Sequence, residues 1–252
     1  MNTRRIVPVA AAPLAALATL AAAAHAAPIV TPGPSFTIGQ PAQFGPRAAD
    51  DRSAQFLIYS NFDDFSGSAI SHGSAFAHDD ILPDAGGVVD EFFFTIANLG
   101  NDTYTGGTAV VSFNEFSGDN FDPIGDQIGA FSVNLSSFTL GPGGIQVVIV
   151  DQLADLGINL DAGVGIFAGV SFEGGSFANN SGDLSDIGQG IFNPPAVGSS
   201  VDYVHIEGSG GTSFGGNPNA NFGMQIVGIP APGAAGLLAV LGVATRRRRR
   251  HG

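Results

Sequence analysis

The chain has 252 residues, no cysteine and no lysine, and a formal charge of −13 at pH 7. Without cysteine there is no disulfide and no thiolate metal site; without lysine there is no Walker A loop, Schiff base or Ser-Lys dyad. Seven of the nine arginines lie near the two ends, so the stretch between them sets Arg47 and Arg52 against all 22 acidic residues, a formal charge of −20. Such a surface repels nucleic acid and anionic membranes and attracts divalent cations and polycations.

The chain opens like an export signal. Arg4 and Arg5 form a basic start, residues 14–24 an apolar run, and Ala24-His25-Ala26 a small-x-small cleavage site. Signal peptidase is expected to cut after Ala26, so residues 1–26 are set apart from the fold. Residues 27–52 are rich in Pro, Gly, Ala and Gln and read as an extended leader that lends one edge strand.

Residues 53–228 read as one β-rich domain. Strands are expected at 55–59, 68–77 and 88–97. In the last, Phe92, Phe94 and Ile96 share one face, and Glu91, Phe93 and Thr95 the other. A turn-rich connection at 98–107 leads to a strand at 108–116, with Val111 and Phe113 on one face. Residues 129–135 alternate Phe131, Val133 and Leu135 against polar partners. A Gly-Pro-Gly-Gly turn at 141–144 precedes a buried strand at 145–150, and 151–156 fit one helical turn. Strands at 164–172, 202–206 and 221–229 complete the series. Short strands, frequent glycine and the lack of a long period-3.6 helix predict an all-β single sandwich.

Several patterns bear on chemistry. Asp119, Asn120, Asp122 and Asp126 fall in one stretch read as a loop, Asp63 and Asp64 form a pair, and Asp79, Asp80 and Asp84 a further cluster. Clustered loop carboxylates are Ca²⁺ ligands in kind, although no EF-hand spacing occurs, and Asp and Asn are also ordinary turn formers. Of these, the 119–126 stretch is the first candidate for Ca²⁺. His72 and His78, six apart, would share one face if they lay on one strand. No Gly-x-Ser-x-Gly elbow occurs. Residues 163–168 fit G-x-G-x-x-A but lead into a strand rather than a helix, against nucleotide binding. Paired carboxylates for glycoside hydrolysis depend on the fold. Polar rims at 179–186 and 215–221 fit a sugar held with Ca²⁺.

The end of the chain is the most specific stretch. Pro230-Ala231-Pro232-Gly233 is followed by a small-residue apolar run at 234–245 and then Arg246, Arg247, Arg248, Arg249 and Arg250. The arginines act as a cytoplasmic stop. The apolar run, about 20 Å long as a helix against a hydrocarbon core of about 30 Å, is short for a permanent anchor. Pro-Ala-Pro, apolar helix and arginine cluster in this order resemble the PEP-CTERM sorting tail of exopolysaccharide-producing Gram-negative bacteria, with Ala231 in place of the family's glutamate. The resemblance covers residues 229–252. It implies passage through the Sec machinery, transient inner-membrane anchoring, cleavage by an exosortase, and a destination at the cell surface or outside the cell.

The body also resembles a jelly-roll-like module common in PEP-CTERM proteins. The matching features are the Phe-rich strand, a strand entering an Asn/Asp/Gly/Pro loop at 113–129, Gly-x-Phe-x-Val-x-Leu at 129–135, the Pro-Gly-Gly turn, and the motif Phe-Gly-Gly-Asn-Pro-x-Ala-Asn-Phe-Gly at 214–223. This resemblance implies a fold and no established activity. The expectation is a non-catalytic, exported structural protein of the extracellular matrix. The alternative is a glycan-binding module of the exopolysaccharide matrix, with or without Ca²⁺.

Overall fold

The computed structural model describes residues 36–39, 55–62, 65–118, 123–179, 182–192, 195–201, 203–212 and 221–231. In chain order the strands are β1 (Phe36–Gly39), β2 (Phe56–Ser60), β3 (Phe65–Ser71), β4 (Ala77–Ile81), β5 (Gly87–Asn98) and β6 (Tyr104–Thr105). Next come β7 (Thr108–Phe116), β8 (Ile124–Asn134), β9 (Thr139–Leu140), β10 (Ile145–Val150), β11 (Asn159–Leu160) and β12 (Ile166–Glu173). The series ends with β13 (Ser176–Phe177), β14 (Ile187–Phe192), β15 (Val204–Ile206), β16 (Gly210–Thr212), β17 (Asn221–Phe222) and β18 (Met224–Ile229). Among the described residues there is no α-helix, and no helix is long and apolar enough to cross a membrane.

The Phe-rich run becomes β5, the strand on which the first sheet is built. β5 pairs antiparallel with β10, β11, β14 and β18; β1 lies outside β10, β2 outside β18, and β3 and β17 beside β14. The edge strand expected from the leader is β1, with Phe36 opposite Val150 and Gly39 opposite Val147. The second sheet runs β16-β15-β4-β12-β7-β8, and a small third sheet runs β13-β6-β9.

The period-two alternation of the sequence decides what fills the space between the two large sheets. Phe92, Phe94 and Ile96 from β5 meet Val111 and Phe113 from β7, Phe131 and Val133 from β8, and Val170 and Phe172 from β12 in one buried cluster. Phe92 touches Phe113 and Phe131 edge-on, with ring centroids 5.5 and 6.0 Å apart. Burying a phenylalanine stabilises by about 1.5–3 kcal/mol, and such edge contacts add about 0.5–1.5 kcal/mol. The chain has no disulfide, so its stability rests on this shared core. Phe93 points the other way and joins Phe62, Val147, Phe192 and Val227 in a second cluster on the far side of the first sheet. The two large sheets thus form a sandwich-like all-β fold.

The structure corrects three expectations. The strand expected over 68–77 is broken by a turn at 72–76, because the chain leaves the first sheet at β3 and enters the second at β4. Gly73 has φ +55°, and the N–H groups of His72 and Gly73 both donate to the Ile187 carbonyl, at 3.0 and 2.9 Å. His72 and His78 therefore do not share a strand face. The loop expected over 113–129 is shorter, since β8 begins at Ile124 and pairs with β7 through two register shifts. Asp126 is an exposed residue on that strand rather than a loop residue. Strand β14 is not among the expected strands; Gly188 and Gly190 interrupt the apolar pattern of residues 187–192. A Cβ on Gly188 would overlap the Ile70 carbonyl, so glycine lets β14 lie against β3. Gly188→Ala is expected to destabilise by about 1–3 kcal/mol, and urea denaturation with an unchanged midpoint would refute this account of β14.

Candidate functional site

The most unusual local sequence in the fold is β4, Ala77-His78-Asp79-Asp80-Ile81, which is buried from end to end. Alternation turns Asp79 toward the shared core between Ala77 and Ile81, opposite Val204 of β15 and Ala168 of β12. Asp79 is 0 % exposed and Asp80 8 %. A buried carboxylate needs partners or a proton.

The segment after β14 delivers part of that partnership. Ala196 and Val197 donate to the Ser60 carbonyl of β2 at 2.9 and 3.2 Å, and Ser199 and Leu82 exchange backbone bonds of 3.1 and 2.7 Å. Gly198, between them, has φ +76°, and a Cβ there would press on the Leu82 carbonyl at 2.7 Å. The segment therefore bridges the first sheet at β2 and the end of β4, and it carries Ser200 onto both aspartates. Ser200 Oγ lies 3.4 Å from Asp79 Oδ1 and 3.3 Å from Asp80 Oδ1. It lies 3.0 Å from the Val201 carbonyl and in short contact with Asn221 Oδ1. The other carboxylate oxygens accept backbone bonds, Asp79 Oδ2 from Phe222 N at 2.6 Å and Asp80 Oδ2 from Val201 N at 3.0 Å.

Electrostatics follow from burial. Desolvation holds the Asp79 carboxyl well above the ordinary carboxylate range, the charge of Asp80 adds to this, and the Phe222 N–H opposes it. Tyr59 of β2 is fully buried at the same place. Its phenol is pushed up by burial and then by the charges of Asp79 and Asp80. Ser200 beside its hydroxyl opposes that rise, although the contact falls short of an ordinary hydrogen bond, and Nδ2 of the fully buried Asn221 makes none either.

A second polar group lies one row along β4. His78 stands opposite His205, with rings 6.3 Å apart, stacks on Phe76 at 5.5 Å, and brings Nε2 within 3.5 Å of Glu207 Oε1. Its ring occupies the space left by the missing Cβ of Gly169, whose other neighbour across the sheet is Ser112. Ser112 Oγ and His78 Nδ1 are both without a hydrogen-bond partner, so they are not joined to each other as a nucleophile–base pair requires.

The residues singled out by sequence fare differently. Asp79 and Asp80, from one acidic cluster, and Asn221, from one polar rim, come together. Asp84 of the same cluster is exposed, its N–H donating to the Ile58 carbonyl at 3.0 Å. In the rim at 179–186, whose residues 180–181 lie outside the described residues, Asn179 donates from N and Nδ2 to Asp102 at 2.6 and 3.0 Å, and Asp183 caps the turn Leu184–Asp186. Pro230 and Ala231 follow β18 directly and are half-buried. Asp63, Asp64, Asp119, Asn120, Asp122, Pro232, Ala24, Ala26, Arg246, Arg247, Arg248, Arg249 and Arg250 lie outside the described residues, as do the export signal and the apolar tail.

Sequence reasoning missed Tyr59, Ser200 and the Val201 carbonyl. The usable signal was Asp79-Asp80 set inside a run bounded by Ala77 and Ile81, which marks charge entering a core. Nothing in Gly198-Ser199-Ser200 distinguishes it from any other turn. Among the described residues no three His, Asp or Glu side chains gather as a metal-binding group. No family model matches the chain, and a search of curated proteins finds no relative.

Proposed function

We propose that this chain is an exported, non-catalytic structural protein of the cell surface or extracellular matrix, with a jelly-roll-like sandwich as its working part. Its tail holds it briefly in the inner membrane until an exosortase cuts near Pro230-Ala231-Pro232. One observation carries this reading. β18 ends at Ile229, the residue before the motif, and is hydrogen-bonded on both sides, to β5 and to β2. Every described strand lies before the cut, so removing the tail takes no strand from the fold. Cutting also removes the Arg246–Arg250 cluster and leaves an acidic body suited to cations and to hydration.

The test is the mass and location of the protein in strains with and without the exosortase. The expected result is release of a form lacking the arginine cluster in the first strain, and a membrane-retained form with its tail in the second. The same mass and the same release in both strains would overturn the proposal.

A further inference from the structure

We propose that the end of the sandwich from which the chain leaves β18 is a docking surface for the chain's own last segment, residues 232–252. Docking needs no exosortase and stands whether or not the tail is later cut.

The topology gathers apolar side chains at this end. Antiparallel pairing sets the end of β4, the start of β12 and the end of β7 side by side, with Ile81 and Glu115 both opposite Ile166. Of the six large apolar side chains exposed among the described residues, four lie here: Leu82 at 39 %, Phe116 at 47 %, Val164 at 52 % and Val201 at 64 %. Leu82 follows β4 and exchanges backbone bonds with Ser199, which brings Val201 alongside. The Phe116 ring lies over Gly165, where a Cβ would meet it at 2.7 Å, and packs on Phe167 with centroids 4.4 Å apart. Phe167 in turn lies 6.3 Å from the Tyr203 ring. The exposed groups thus continue an aromatic row on the outer face of the second sheet, and such a patch marks an interaction surface. Exposed Asp84, Glu115 and Asp161 stand around it.

Two observations name the occupant. The first is where the chain goes. A Cβ on Gly87 would meet the Ile229 carbonyl at 2.6 Å, and a Cβ on the adjacent Gly86 would meet Ala162 N at 2.8 Å. The chain therefore leaves β18 beside the loop that carries Val164. Only the link 230–233 separates that exit from the apolar run at 234–245. The second is charge. Among the described residues there is no lysine or arginine, whereas Arg246–Arg250 close the tail. An apolar run followed by dense positive charge fits an apolar patch with an acidic rim. A second copy would bring the same acidic rim, and an anionic bilayer surface would be repelled by it. Docking gives the apolar run cover from water whenever no bilayer holds it.

Trypsin reads the tail directly, because the described residues offer it no site. With the purified full-length chain in detergent-free buffer, cleavage within Arg246–Arg250 is followed by mass spectrometry. It is expected to be about tenfold slower than in the free peptide of residues 232–252, since proteolysis follows the population of the open form. The chain should approach the peptide's rate at about 1 M NaCl, which screens the acidic rim. It should do the same in the double variant Val164→Asp, Val201→Asp, which alters only exposed positions. Equal rates for wild-type chain and peptide at low salt would overturn the docking surface. So would protection that survives both salt and the double variant, which is the behaviour of an aggregated tail. The absence of cysteine allows a second measurement. Val164→Cys with Leu238→Cys is expected to form a disulfide within one chain in much higher yield than Leu99→Cys with Leu238→Cys, since Leu99 lies beyond the far end of β5. Equal yields from the two pairs, or a disulfide only between chains, would count against intramolecular docking and sink the proposal.

Discussion

Asn61→Leu is expected to destabilise the fold by about 2–6 kcal/mol, through two buried backbone groups that each cost about 1–3 kcal/mol when left unpaired. Asn61 is 0 % exposed and follows β2. Its Nδ2 donates to the Phe222 carbonyl at 2.5 Å, and its Oδ1 accepts from Met224 N at 2.7 Å. Its own N–H donates to the Met224 carbonyl at 3.2 Å. These three bonds span Gly223, where the ladder passes from β17 to β18. The side chain thus stands in for a missing stretch of partner strand. Leucine matches the size of asparagine closely but can neither donate nor accept, so the Phe222 carbonyl and Met224 N–H are stranded. Asn61→Asp, which keeps one acceptor, is expected to cost less near its own pKa than at neutral pH. Urea midpoints of the two variants check this; a loss below about 0.5 kcal/mol for leucine, the level of an ordinary surface change, would show that these bonds contribute little.

Acid is expected to remove about 3 kcal/mol of stability through His72 alone. Burial lowers its pKa from 6.5 to about 4, helped by the nearby His78 and opposed by the bond from Nδ1 to the Ala75 carbonyl, 3.0 Å long. The ring packs on Phe172 and Phe222, with centroids 5.3 and 5.9 Å away. The folded state therefore favours neutral imidazole. Its contribution is whole above pH 6.5 and falls as pH drops through 6.5, with the loss complete below about 4. Asp79 acts in the opposite sense. A carboxyl raised in the folded state costs stability as pH rises above its ordinary value of 3.8 and regains it on acidification. The His72 term is isolated by comparing wild type with His72→Phe. The difference between their unfolding free energies should change by about 3 kcal/mol between pH 7 and pH 4, and parallel curves would refute the assignment.

The core is legible in the sequence because its code is local. Phe92, Phe94 and Ile96, then Val111 and Phe113, then Phe131, Val133 and Leu135, repeat with the period of a strand, and each set faces the same interior. The turn over 151–156 was readable for the same reason and is a short 3₁₀ turn at Ala154–Leu156. β14 was not, because a glycine required for close strand contact has the same letter as a glycine required for a turn. The candidate site was the least readable. Its residues come from positions 59, 79–80, 200–201 and 221, and only the pairing of sheets brings them together. The aspartates and Asn221 drew notice as residue types, but the serine that joins them carried no pattern.

The place of β18 sets a condition on how the chain can fold. The ladder from β18 to β2 sets Gln225 opposite Ser60, and the Ser60 hydroxyl donates to Gln225 Oε1 across 165 residues. Closing so long a loop is entropically slow, and contacts of this range form late. Until residues 224–229 have been synthesised, β5 lacks one neighbour and β2 its only strand partner among the described residues. The first sheet is therefore completed only by the last strand of the series.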